Sequence, residues 1–140
     1  MAAHFGLAVA VKNFAFDIRV AISHFTEIVE RKPENFFALT QLAILHYLNN
    51  QIGTAIRLLH RVFSLKNSYA PALTTMGEIL RHIGRPEESI RYYERSLKIN
   101  GQEIFVLKGL WQAYFETNDM QKALQSFQIL TRKMTDLEEQ

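Results

Sequence analysis

A fixed period runs through the chain. Small residues recur with a spacing of 34 each time: Ala21, Ala55, Ser89 and Ala123. A large apolar residue follows each of them four positions later: Phe25, Leu59, Tyr93 and Phe127. A second packing position lies upstream of each pair and recurs at nearly the same spacing: Ala8, Ala43, Gly77 and Trp111. Such a fixed period is typical of repeat proteins, in which each unit buries its apolar side against the next unit.

Each repeat is predicted to contain two helices. Apolar residues at helical spacing are interrupted about every half period by turn-forming residues, such as Asn49-Asn50 and Asn118-Asp119. In the third repeat Gly84 can adopt the left-handed conformation that ends a helix, and Pro86 fits the first turn of the next helix. We therefore expect four antiparallel helical hairpins, with one extra residue in the first.

The third repeat carries the most specific motif of the chain. It reads Leu73-x2-Met76-Gly77-x2-Leu80, then Gly84-Arg85-Pro86-Glu87-Glu88-Ser89-Ile90-x2-Tyr93, then Leu97-Lys98-Ile99-Asn100. This pattern resembles the tetratricopeptide repeat family. The resemblance implies an all-α fold, a right-handed superhelical solenoid of four hairpins. The whole chain, 1–140, is predicted to form a single domain with approximate repeats 1–35, 36–69, 70–103 and 104–137.

Several kinds of chemistry are not expected. The 140 residues include no cysteine, which excludes disulfides, thiolate metal sites and cysteine nucleophiles. The six glycines form neither a phosphate loop nor a dinucleotide fingerprint. His82 and Glu78 have the i, i+4 spacing of a metal pair, but an ordinary polar pair is the better interpretation. We predict no catalytic residue, no cofactor and no metal.

The resemblance also implies a binding groove, because the first helix of each hairpin lines the concave face in that family. The predicted groove residues are Phe37, Gln41, Ile44, Tyr47, Leu48, Thr74, Thr75, Glu78, Arg81, His82, Phe105, Lys108, Gln112 and Phe115. The aromatic members would hold apolar anchors of a partner, while Arg81 and Lys108 would bind its acidic groups. The alternative is that these residues bury one another within a tight superhelix.

The predicted function is a non-catalytic protein-interaction module, a scaffold, adaptor or chaperone-like protein that binds a peptide or helix of another protein. One alternative is a docking or regulatory piece of a longer enzyme. A weaker alternative uses four arginines on the convex side, two in each of two successive repeats: Arg57, Arg61, Arg91 and Arg95. They are either a solvated face or a contact for acidic protein or nucleic acid, and the net charge of +2 makes nucleic acid unlikely.

The two ends of the chain carry further expectations. Apolar residues surround the first helix, so Phe5, Val9 and Val11 are predicted to associate with upstream repeats, a second copy or a partner helix; a short frayed helix is the alternative. The last helix places Ser126 and Lys133 where earlier repeats have apolar residues, which predicts a polar, natural end. No signal peptide or transmembrane segment is evident, so we predict a cytoplasmic location without membrane insertion.

The repeat register leads to a first testable prediction. Replacing Ala55 or Ala123 by Leu should overpack the hairpin and lower the free energy of unfolding by about 1 to 3 kcal/mol, because small residues set the helix separation. Thermal melting of both variants measures this effect. Unchanged melting temperatures in both would contradict the register.

Overall fold

The computed structural model describes residues 2–99 and 103–139, with side chains from residue 14 onward. These residues form seven helices and no strand: α1 (Ala2–Arg31), α2 (Phe36–Leu48), α3 (Ile52–Leu65), α4 (Ala70–His82), α5 (Pro86–Ile99), α6 (Glu103–Glu116) and α7 (Met120–Glu138). The all-α class is confirmed. The helices fall into two compact units, Met1–Leu65 and Lys66–Gln140, and each is described by itself. The single domain and the superhelical handedness stay predictions.

In the first unit, α2 packs between α1 and α3. The described part of α1 buries Ile18 and Val29, which are separated by three helical turns and therefore lie on one side of the helix. The α3 helix is amphipathic and buries Ala55, Leu59 and Val62. The small and large positions of the repeat period, Ala55 and Leu59, are thus both fully buried between helices, as their spacing predicts.

In the second unit, consecutive helices pack in order from α4 to α7, and α4 also contacts α6. Tyr93 of α5 is fully buried at the centre of this packing. A Cβ atom added to Gly77 of α4 would lie 2.9 Å from the Tyr93 ring, and one added to Gly109 of α6 would lie 2.4 Å from its hydroxyl oxygen. The two glycines therefore allow two helix backbones to approach one aromatic side chain closely.

The same turn joins the two helices of each hairpin. One residue in each turn has a positive φ, and these residues are one repeat period apart: Asn50 (61°), Gly84 (86°) and Asn118 (63°). In each turn, the N–H of the positive-φ residue donates to the carbonyl oxygen three residues earlier. The N–H of the following residue donates to the carbonyl oxygen five residues before it. This is the hydrogen-bond pattern of a Schellman motif. The following helix begins at once, because the residue after the positive-φ position accepts its first backbone hydrogen bond.

The first repeat differs from the prediction. We expected a hairpin, but α1 runs without interruption from Ala2 to Arg31. The position 34 residues before Asn50 is Phe16. If the extra residue of the first repeat lies after the turn, the equivalent position is Ala15, 35 residues before Asn50. Neither is a residue type that readily adopts a positive φ, and residues 7–31 include no glycine or proline. Nothing ends the helix locally, so it continues.

The predicted polar face of the last helix is also wrong. Ser126 is buried, and Lys133 is turned back toward α6, where its Nζ lies 2.8 Å from Oε2 of Glu103. The solvent-exposed apolar residues of α7 instead include Leu124, Phe127 and Leu137. The prediction failed because it placed the two polar residues on the outer side of α7, whereas the helix turns them inward.

The hairpin turn provides a second prediction. Gly84→Ala should lower the free energy of unfolding by about 1 kcal/mol or more, because alanine is strained at a φ of 86°. Gly84→Asn should cost less, since Asn50 and Asn118 occupy the equivalent positions. Denaturant titration of both variants measures the difference.

Gly53→Ala is a matched control in the same titration. Gly53 lies in α3, its added Cβ would meet only Nη1 of Arg57 at 3.9 Å, and alanine is the better helix former by about 0.5 to 1 kcal/mol. This variant should therefore be at least as stable as the parent. A Gly84→Ala variant as stable as the parent would contradict the left-handed constraint at this turn. A loss for Gly84→Asn as large as that for Gly84→Ala would contradict the tolerance of asparagine there.

Candidate partner-binding surfaces

One side of α6 exposes two aromatic side chains. Phe105 and Phe115 are 53% and 56% exposed, and Lys108 is also exposed. At 100° per residue these three residues and the half-buried Gln112 lie within an arc of less than 100°. Phe105 and Phe115 are ten residues apart, which places them about 15 Å apart along the helix axis. The alternative, that the predicted groove residues bury one another, therefore does not hold for these two phenylalanines.

The neighbouring helix α4 adds a polar strip. Thr75 and Glu78 are half-buried and His82 is exposed. The hydroxyl of Thr75 donates to the Pro71 carbonyl oxygen at 2.7 Å, as threonines inside helices often do. We call the surface formed by Thr75, Glu78, His82, Phe105, Lys108, Gln112 and Phe115 the α4–α6 face.

Thr74 does not belong to this face, which corrects the prediction. Its side chain is buried, and its Oγ1 lies 2.7 Å from Oγ of Ser96 on α5. Ser96 also donates to the Ala70 carbonyl oxygen at 3.3 Å. Thr74 and Thr75 are adjacent in sequence, and a helix turns by 100° between them, so one points into the hairpin while the other stays near the surface.

Arg81 joins α4 to α6 beneath the face. Its side chain is only 12% exposed. The Nη1 atom lies 3.3 Å from Oε1 of Gln112 and 3.9 Å from Oε1 of Glu116, both on α6. The Nη2 atom lies 3.7 Å from Oε1 of Glu78 and 3.3 Å from Nε2 of His82. Arg81 is thus already surrounded by groups of its own unit, so Lys108 is the more accessible cation for an acidic partner group.

The protonation of Arg81 and Tyr93 follows from their shared environment. Burial alone would lower the pKa of Arg81, but Tyr93 and the carboxylates of Glu78 and Glu116 outweigh it, so the pKa is raised. Burial raises the pKa of Tyr93 to about 12, although the neighbouring positive charge of Arg81 opposes this shift. At neutral pH the pair is therefore a guanidinium cation beside a neutral phenol.

A second tyrosine hydroxyl, that of Tyr114 on α6, contacts α5. The Tyr114 hydroxyl donates to Oε1 of Glu94 on α5 at 2.5 Å. Burial, followed by the Glu94 carboxylate, raises the pKa of Tyr114. This hydrogen bond links α6 to α5, and it was not predicted from the sequence.

In the first unit, the predicted groove residues lie on α2. Phe37 and Leu48 are about half exposed, whereas Gln41, Ile44 and Tyr47 are partly buried. Phe37 and Leu48 lie at opposite ends of the helix, close to its first and last residues. We call these five residues the α2 face.

The arginines predicted to form a convex ridge have specific contacts. Arg61 Nη2 lies 3.4 Å from the Pro33 carbonyl oxygen, and Arg95 Nη2 donates to the Asn67 carbonyl oxygen at 2.9 Å. Both the arginines and the carbonyls are one repeat period apart, so each arginine holds the turn before its own hairpin. Arg57 donates to Oγ1 of Thr54 at 3.1 Å, and Arg91 is exposed. The sequence revealed the spacing of the arginines, but their carbonyl partners were missed.

The proposed association residues Phe5, Val9 and Val11 lie outside the residues whose side chains are described. Within the described part of the chain, His, Asp and Glu residues form no group of three that could hold a metal ion. Among those same residues, no helix has the length and apolar character needed to cross a membrane.

The close contact of Gly109 with Tyr93 was not predicted. A glycine inside a helix, far from any turn, signals a close approach, and this signal was available at Gly109. Its partner Tyr93 could not be identified from sequence, since the two residues lie on different hairpins.

The family resemblance is confirmed by comparison with known repeats. Residues 70–103, which contain α4 and α5, match the family model described as a tetratricopeptide repeat. These residues form a tetratricopeptide repeat. The matched segment coincides with the third predicted repeat. No curated protein matches the chain.

Solved structures of MamA have the same fold. A MamA RS-1 double mutant matches with a TM-score of 0.77 at 17% identity, covering 97% of this chain and 76% of that chain. MamA from residue 41 to its end, from Desulfovibrio magneticus RS-1, matches with a TM-score of 0.75 at 17% identity, covering 94% and 74%. Another MamA crystal structure matches with a TM-score of 0.59 at 17% identity, covering 93% and 90%. At such identities the likeness establishes the tetratricopeptide-like fold.

The environment of Tyr93 yields a third prediction. The raised pKa means that the folded protein keeps the proton longer than the unfolded chain, whose tyrosines titrate near pH 10. The stabilising effect of the neutral phenol is therefore complete below pH 10 and is lost as the pH rises to 12, by about 2 to 3 kcal/mol. Tyr93→Phe should remove this part of the pH dependence.

Denaturant titrations of the parent and of Tyr93→Phe between pH 9 and 12 measure the effect, with phenolate absorbance as an independent readout. Parallel stability curves for the two proteins would contradict the assignment. Tyr114→Phe should remove a further part of the alkaline loss, because the Tyr114 pKa is also raised.

Proposed function

We propose that this protein is a non-catalytic protein-interaction module that binds a peptide or helix of another protein through the α4–α6 face. The observation that carries the proposal is the pair of half-exposed phenylalanines on α6, Phe105 and Phe115, about 15 Å apart with Lys108 between them. Two apolar anchors at that distance suit about three turns of a helix or a short extended segment. The proposal includes the scaffold or adaptor role and the cytoplasmic location predicted from the sequence.

The chemistry of the face favours a partner with both apolar and charged groups. Aromatic side chains supply much of the binding energy in protein interfaces, particularly when polar groups surround them. Lys108 offers an exposed positive charge, while the carboxylates of Glu78 and Glu116 lie near the partly buried guanidinium of Arg81. An acidic group of the partner would meet Lys108, and a basic group would meet the two carboxylates. This arrangement can select both the sequence and the direction of a bound segment.

The α2 face of the first unit is proposed as a separate contact. Phe37 and Leu48 supply two further exposed apolar anchors. Tyr47, which directly precedes Leu48, is partly buried. Each unit thus brings its own surface, and the two can be tested independently by variants on α2 and α6.

A peptide selection provides the fourth prediction. Peptides selected from a random display library against the full chain should lose affinity by about tenfold or more for Phe105→Ala and Phe115→Ala, which remove the proposed anchors. Titration of the labelled peptides against each variant measures the loss, and circular dichroism checks that helix content is retained. Tyr47→Ala reports in the same way on the α2 face.

Phe16→Ala is the matched control, since Phe16 is equally exposed but lies on α1. It should leave the affinity unchanged. Selected peptides that bind Phe105→Ala and Phe115→Ala as tightly as the parent would refute the α4–α6 face as the binding surface. Unfolding of either variant would show that its phenylalanine is part of the core.

A further inference from the structure

The outer side of α7 carries a shallow, open apolar cleft, which is lined by residues of this one helix. Leu124, Phe127, Gln128 and Thr131 line it, and Arg132 and Asp136 lie at one end. Leu124 is 57% exposed and Phe127 is 46% exposed. Within the described part of the second unit, α7 packs only against α6, where the Trp111 and Phe127 rings meet edge to face at 5.3 Å. The remainder of the Phe127 side chain faces the cleft.

The same positions are occupied elsewhere in this chain. One repeat period earlier, the four central lining residues correspond to Ile90, Tyr93, Glu94 and Leu97 of α5. In α5 this surface is covered by α6. Ile90, Tyr93 and Leu97 pack in one apolar cluster with Val106 and Leu110 of α6. The α7 cleft therefore repeats, one period later, an interface that the protein has already formed.

The α5–α6 interface shows what such a surface accepts. Gly109 of α6 brings the backbone against Tyr93, and Val106 and Leu110 of the same helix belong to the apolar cluster around Tyr93. One turn further along α6, the Tyr114 hydroxyl donates to Glu94. The occupant is thus a helix with a small residue at its centre, an aliphatic residue three positions before and one position after it, and a hydrogen-bonding side chain five positions after it.

From this continuity we propose that the α7 cleft binds an amphipathic α-helix of another protein, placed as α6 is placed on α5. The small residue of that helix lies over Phe127, its aliphatic residues contact Leu124 and Thr131, and its polar side chain bonds to Gln128. Arg132 and Asp136 offer one charge of each sign to the end of the helix. This surface is distinct from the α4–α6 face, so the proposed function does not depend on it.

The α6 sequence itself is the probe for the experiment. A labelled, helix-stapled peptide of residues 103–116 is titrated against the full chain by fluorescence anisotropy. The peptide should bind, and Leu124→Glu in the protein should weaken binding at least tenfold, equivalent to about 1.4 kcal/mol, because it places a charge in the apolar cleft. Gly109→Leu in the peptide should weaken binding to a similar extent, since the bulky side chain would prevent the close approach to Phe127.

Leu137→Glu is the matched control, because Leu137 is about as exposed as Leu124 and lies on the same helix but does not line the cleft. It should leave peptide binding unchanged. Absence of binding by the peptide, or equal binding by Leu124→Glu and the parent, would overturn the proposal. If the peptide displaced α6 of the protein from α5, it would bind Leu124→Glu as tightly as the parent, because it would not contact α7.

Sedimentation velocity of the unliganded chain separates a partner helix from a second copy. The proposal expects a monomer over the concentrations used in the titration. Concentration-dependent association that Leu124→Glu abolishes would assign the cleft to a second copy of this chain and would overturn the partner-helix proposal.

Discussion

The helical hairpins depend on one backbone constraint, a residue with positive φ at the end of the first helix. Asn50, Gly84 and Asn118 satisfy it once in each repeat period, and each lets two N–H groups reach back to the preceding helix. The same few residues begin the next helix, so the direction of the chain reverses within a very short segment. Where the period reaches Phe16, the constraint has no suitable residue and α1 remains one helix.

Within the second unit, the packing of one large side chain sets the distance between helices. Tyr93 needs a glycine on α4 and another on α6, and the resulting close approach brings Arg81 of α4 within reach of Gln112 and Glu116 of α6. The buried phenol and the guanidinium therefore belong to the scaffold that positions the exposed residues. The α4–α6 face depends on this packing, because the contacts that join α4 to α6 also bring the exposed residues of the two helices onto one surface.

The two proposed binding surfaces of this unit have different origins. The α4–α6 face combines exposed aromatic residues and Lys108 with partly buried polar residues, on two helices that contact each other. The α7 cleft is the repeat interface itself, exposed where α6 has no counterpart among the described residues. Partners of the first surface are selected by side-chain chemistry. A partner of the second is selected mainly by shape, since it must present a small residue to Phe127.

The repeat period, the all-α class and the turns at Asn50, Gly84 and Asn118 could be predicted from the sequence, because each depends on local conformation or on helical spacing. The burial of Ala55, Leu59 and Tyr93 could be predicted in the same way, whereas Phe127 at the equivalent position is 46% exposed. Phe105 and Phe115, which the same reasoning assigned to the groove, lie on an exposed side of one helix, and their role in binding stays a prediction. The burial of Thr74 and the bridging of two helices by Arg81 became evident only from the packed structure. These outcomes depend on which side chains meet across different helices, and a one-dimensional period does not contain that information.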